Sequence, residues 1–269
     1  MNGHETMSAE AEVVPGLATT SAGYRLVPAA VTADPGPRTR YEFTIAGPDG
    51  EPVTDFETEH ARQMHLIVIR RDLAGFQHVH PELSANGTWT ARIDTTLPGT
   101  QRVFADFTTG GESMTLATDL SVPGRFEPEP LPPPAKTADA GDGYEVTMSS
   151  PEPEPGAGTP TEFTITRNGE PIGAVQPYLG ADGHLVVLRE GDLAFLHAHP
   201  QGEPGGRGPV GFEVDYPSSG DYRMFLQFRH RGEVHTAAFT ASVGAGATGA
   251  TDATGATGDH DGKGSDHAH

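Results

Sequence analysis

The chain alternates short apolar stretches with turn residues, and no segment of useful length sustains a 3.6-residue period. Stretches such as "YEFTIAG" from Tyr41, "HLIVIRR" from His65 and "RVFADF" from Arg102 are rich in Val, Ile, Phe and Thr and predict strands. Gly, Pro, Asp and Asn between them predict turns, each for its own backbone reason. The pattern then recurs. "YEFTIAGPDGEPV" at Tyr41 matches "TEFTITRNGEPI" at Thr161, and "HLIVIRRDLAGFQHVHP" at His65 matches "HLVVLREGDLAFLHAHP" at His184. "PGTQRVFADF" at Pro98 matches "SGDYRMFLQF" at Ser219, and "GGESMTLATDLSV" at Gly110 matches "RGEVHTAAFTASV" at Arg231. The offset drifts only between 119 and 121 residues, which marks an internal duplication.

Copies of about 100 residues built from short strands predict an all-β chain of two tandem immunoglobulin- or cupredoxin-like β-sandwich domains. The expected division is a disordered N-terminal segment over 1–22, a first sandwich over 23–124 and a Pro-rich spacer over 125–142. A second sandwich over 143–243 and a low-complexity, His-containing tail over 244–269 complete it. The opening residues show neither the basic region nor the apolar stretch of an export signal. The longest aliphatic run, Leu66 to Ile69, is far too short to span a membrane.

Composition narrows the chemistry. The formal charge of −20 argues against a nucleic-acid partner and favours a metal cation or a basic protein. With no cysteine, thiol nucleophiles, iron–sulfur clusters and Cys-ligated zinc or copper are excluded, so any metal must be held by His, Met, Asp or Glu. No nucleophile elbow, phosphate-binding loop or dinucleotide fingerprint occurs. Glu82 follows the first His-Pro, but Gln201–Gly202 stands there in the second copy, so no general base recurs beside the histidines.

The repeated signature is Phe-x-His-x-His-Pro, at Phe76–Pro81 and Phe195–Pro200. On a strand, two histidines one residue apart share a face. A hairpin about Asp72–Leu73 puts His65 opposite His80 and Ile67 opposite His78. A hairpin about Gly191–Asp192 puts His184 opposite His199 and Val186 opposite His197. Cross-strand Cβ atoms lie roughly 5 Å apart, so three imidazoles per hairpin could chelate copper, zinc or nickel. The expected sites are therefore His65, His78 and His80 in copy one, and His184, His197 and His199 in copy two. Met114, just after "GGES", and His235, just after "RGEV", are the candidate fourth ligands.

Other residues read as structural. Phe76/Phe195, Phe104/Phe225 and Phe107/Phe228 recur and read as sandwich core, as do Met64 and Met224. Asp72 and Asp192 suit turns. His60 and His230 lack counterparts and read as surface residues, and His260, His267 and His269 belong to the solvated tail.

Laid out this way, the chain resembles actinobacterial exported or membrane-anchored proteins labelled heavy-metal-binding or YtkA/FixH-like. The resemblance rests on "MHLIVIRRDLAGFQHVHP", "RVFADF", "YLGADGHLVVLREGDLAFLHAHP" and "HTAAFT", and covers residues 22 to 243. It implies an extracytoplasmic tandem sandwich linked to copper, with a copper-handling membrane protein as partner. The leading expectation is a non-enzymatic protein that buffers or delivers copper, in either oxidation state, with one His-rich site per repeat and zinc as the alternative metal. A zinc-dependent hydrolase or lyase, and a tandem interaction module with structural histidines, are the competing expectations.

Overall fold

The computed structural model describes residues 14–244; the expected tail and its histidines, His260, His267 and His269, lie outside the described residues. The described chain is all-β, with two sandwiches from the two repeats. In the first, a five-stranded sheet runs in the order Thr20–Ser21, Tyr24–Pro28, Thr39–Ala46, Thr88–Ile93, Glu82–Leu83. A four-stranded sheet in the order Gln77–Val79, His65–Arg70, Gly99–Thr109, Glu112–Val122 packs over it. Period-2 alternation explains the core: Tyr41, Phe43 and Ile45 point inward with Trp89, and meet Leu66, Val68, Phe107 and Leu116 from the opposite layer. Among the described residues, no helix is long and apolar enough to cross a membrane.

The second repeat repeats this plan with one change. Its strand Phe195–Gln201 pairs first with His184–Arg189 and then with Val210–Asp215, so it belongs to both layers. The two layers thereby join into one nine-stranded sheet. Its core is built from Phe163, Phe212, Phe228, Phe239 and Met224.

The central strands His65–Arg70 and His184–Arg189 are apolar on both faces. Leu66 and Val68 face their own core, as do Leu185 and Val187. Their alternates, Ile67, Ile69, Val186 and Leu188, form a third apolar layer between the repeats, with Phe104, Phe195 and Phe225. The recurring phenylalanines therefore divide: Phe107 and Phe228 are sandwich core as expected, whereas Phe76, Phe104, Phe195 and Phe225 hold the repeats together. Apolar burial, at about 25 cal/mol per Å², makes this layer an attraction between the sandwiches.

Two segments read as unstructured or as plain spacer contribute to that junction. The run from Val14 to Ala18, expected within the disordered 1–22, is threaded between the repeats. The Gly16 amide donates to the Thr115 carbonyl (3.1 Å), the Phe195 amide donates to the Pro15 carbonyl (3.0 Å), and Arg102 Nη2 donates to the Gly16 carbonyl (2.8 Å). Gly16 has φ +75°, and a Cβ there would stand 2.8 Å from both Phe104 Cε1 and Phe195 Cβ, so only glycine fits. In the spacer, Leu131 packs on the inter-repeat layer and Thr137–Asp139 adds a strand to the second sandwich. The hairpin turns carry Asp72 and Asp192, whose carboxylates accept from the Ala74 and Ala194 amides and pair with Arg70 and Arg189.

Candidate metal centre

Register places the histidines. Ile67 pairs with His78 and Val186 with His197, the hairpin alignment that the spacing predicts. The first-repeat strand ends at Val79, and His80 follows directly after it. Ligand nitrogens of His65, His78 and His80 all lie within 4.8 Å of one another. Their ring centroids are 4.8–5.2 Å apart.

The hydrogen bonds orient two of these rings. His65 Nε2 lies 3.2 Å from the Glu59 carbonyl oxygen, which can only accept, so Nε2 carries the proton and Nδ1 a lone pair. His78 Nδ1 donates to Gln227 Oε1 at 2.6 Å, leaving a lone pair on Nε2. Those two lone pairs, His65 Nδ1 and His78 Nε2, face each other at 3.0 Å. His80 Nε2 is enclosed beside them without a hydrogen-bond partner. Burial pushes His78 down to about 3, against the Gln227 hydrogen bond, and pushes His80 down to about 4, helped by the neighbouring His65. Burial also holds His65 below the usual imidazole range. All three are therefore neutral at physiological pH, the form in which imidazole binds metals.

Two further histidines border the trio. His184 of the second repeat lies with its ring centroid 4.6 Å from that of His78, and stacks on His65 at 5.6 Å with planes 9° apart. Its Nδ1 is enclosed and unpartnered, and burial pushes its pKa well below the ordinary value. His60, expected at the surface, is half-buried instead, with its ring 6.1 Å from His65 and 6.2 Å from His184. It sits in a tight turn closed by reciprocal Glu59–Arg62 backbone bonds, with His60 and Ala61 both at positive φ, a conformation that costs of order 1 kcal/mol or more per residue. A groove of about 500 Å³ lined by Arg62, His78, His80, Tyr178 and Arg229 leads from solvent to the trio.

The remaining candidates do not join it. Met114 and His235 face the wrong way. The cross-strand chain His65–Asp106–Thr115 puts Thr115 on the histidine face, and its neighbour Met114 falls into the first core. Likewise His184–Gln227–Thr236 puts Thr236 on that face, while His235 turns against Tyr144 and Phe228. The second trio is not assembled either. Because Phe195–Gln201 runs on into the other layer, His199 pairs with Glu213 and is exposed. His197 instead meets Thr115 Oγ1 at 3.0 Å and Asp106 Oδ1 at 3.7 Å. His230, read as a surface residue, is half-buried, with Nδ1 2.6 Å from the Tyr144 hydroxyl.

Gln227, His60 and the gathering of both repeats' histidines were not read from the sequence. One signal was available: "LIVI" and "LVVL" are continuous apolar runs, the mark of strands covered on both faces. Once the outer faces of these strands meet, His65 and His184, on the same faces as Ile67 and Val186, must meet too.

No curated protein matches the sequence. Among solved structures, the Yersinia pseudotuberculosis adhesin InvE is similar at 14% identity, covering 82% of this chain and 59% of that one, with a TM-score of 0.27. InvD of the same organism is similar at 16% identity over 88% and 62%, with a TM-score of 0.28. A Salmonella alpha-2-macroglobulin mutant is similar at 14% identity over 87% and 15%, also at 0.28. The chain spans less than two thirds of each of these proteins, and at such scores the likenesses carry nothing about function. Each repeat matches one and the same family model: the chain belongs to the family described as Domain of unknown function (DUF8832), which matches it twice, over residues 19–124 and 136–245.

Proposed function

We propose that the chain is a transition-metal-binding protein, and that it holds one copper or zinc ion among His65, His78 and His80. The observation that supports this most is the pair of lone pairs on His65 Nδ1 and His78 Nε2, facing each other at 3.0 Å with a third unpartnered nitrogen, His80 Nε2, beside them. Two lone pairs at that distance repel, and either a metal cation or a shared proton relieves the repulsion. The donor set is all imidazole, because the thioether of Met114 lies in the core. That suits Cu(II) or Zn(II) better than Cu(I). Gln227 and the Glu59 carbonyl act as the supporting shell that fixes each ligand's tautomer. The charge of −20 raises the local concentration of cations. The role that follows is buffering or delivery of the ion rather than turnover.

The test is native mass spectrometry of the full chain, with tail residues His260, His267 and His269 replaced by alanine, titrated with Cu(I), Cu(II) and Zn(II). One tightly held ion is expected, lost in the His78→Ala/His80→Ala double variant. An unchanged count in that variant, or no retained ion in its parent, would sink the site.

A further inference from the structure

The trio supplies three ligands, and a closed tetrahedral site needs a fourth. The two repeats face each other in a nearly reciprocal way. His78 of the first reaches Gln227 of the second, and His197 of the second reaches Asp106 of the first, where Gln227 and Asp106 hold equivalent places beside His184 and His65. One half of this arrangement has dispersed, with His197 bonded to Thr115 and His199 exposed. His184 borders the other half: its enclosed Nδ1 has no partner, and its ring centroid lies 4.6 Å from that of His78 and 5.6 Å from that of His65. The ligand nitrogens within 4.8 Å of one another are those of the trio alone, so His184 joins them by a side-chain adjustment.

We propose that His184 supplies the fourth imidazole, so that a single ion is shared between the two sandwiches and its binding is linked to their docking. This rests on the metal-site reading above. Three ligands then come from the first repeat and one from the second. Gln227, also of the second repeat, orients His78 of the first. Separating the repeats removes both the fourth ligand and that support at once. Linkage makes the coupling reciprocal: a change that loosens the docked interface weakens the ion, and the ion tightens the interface by the same factor. The site thus acts as a clasp as well as a store.

The experiment is X-ray absorption spectroscopy, with a competition titration, on the full chain loaded with Zn(II) or Cu(II) at one equivalent. Four imidazoles are expected in the wild type. In His184→Ala, or in His184→Gln should the alanine variant not fold, one imidazole is expected to be lost. Affinity should fall by more than the roughly 10–100-fold that loss of a supporting contact costs. His60→Ala should keep all four. Phe225→Ala, which loosens the docking layer without touching a proposed ligand, should weaken the ion while keeping four imidazoles. A wild type with three imidazoles, or a His184 variant with unchanged coordination and affinity, would overturn the shared site and leave the three-His site standing. A wild type that retains neither ion would remove the three-His reading, and this inference with it.

Discussion

Phe76 of the first repeat and Phe225 of the second lie face to face, with ring centroids 4.0 Å apart and planes 6° apart. This stack closes one side of the apolar layer that joins the sandwiches. Phe225→Ala removes a ring that is 4% exposed, and is expected to cost about 3–5 kcal/mol. Calorimetry should show the melting midpoint falling by roughly 2–4 °C per kcal/mol for a chain of this size. An unchanged melting profile would mean that the repeats are not held by this face.

Gln227→Leu removes the acceptor that fixes the His78 tautomer while leaving every proposed ligand in place. Ion affinity is expected to drop on the order of 10–100-fold with the stoichiometry kept at one. Isothermal titration with Zn(II) reads both numbers. Unaltered affinity would show that His78 is oriented by something else.

Met114→Leu should change neither the number of ions bound nor the ranking of metals, because the thioether is 7% exposed and directed into the first core. As a volume-conserving swap it should cost less than about 1.5 kcal/mol. Loss of Cu(I) binding in this variant would restore the thioether as a ligand.

Acid sensitivity has a source away from the histidines. Burial by itself would raise the Asp72 carboxyl, but the Arg70 guanidinium, the Glu129 amide and the Ala74 amide outweigh it and hold the carboxyl below its ordinary 3.8. A carboxyl depressed in the folded state stabilises fully above its unfolded value, and that contribution disappears as pH falls through the folded value. The stability difference between wild type and Asp72→Asn should therefore be constant near neutral pH and shrink below about 3.8. Urea titrations across pH 7 to 3 measure it; a difference that persists at the acid end would assign the loss in the variant to shape rather than charge.

What was legible in the sequence was local or periodic. The duplication, the strands and the pairing of Ile67 with His78 follow from spacing within a few tens of residues. Placing Met114 and His235 required knowing which of two adjacent residues faces which way across three strands. A single step of register reverses that answer. The second trio failed for a different reason. Pro200 sits inside a strand that changes partners, a long-range choice between Glu213 and His184 as the neighbour of His199 that no hairpin spacing encodes. The gathering of His65 with His184 depends on docking of the repeats, and only the doubly apolar strands hinted at it.

The threading of Val14 to Ala18 between the repeats sets an order of assembly. These residues are made before either repeat, yet the Pro15 carbonyl accepts from the Phe195 amide, which belongs to the second repeat and is made after the whole of the first. The segment's partners Thr115 and Arg102 lie in the first repeat and Phe195 in the second, so its seat is complete only once the second has emerged. A segment made ahead of both repeats is thus among the last to be fixed.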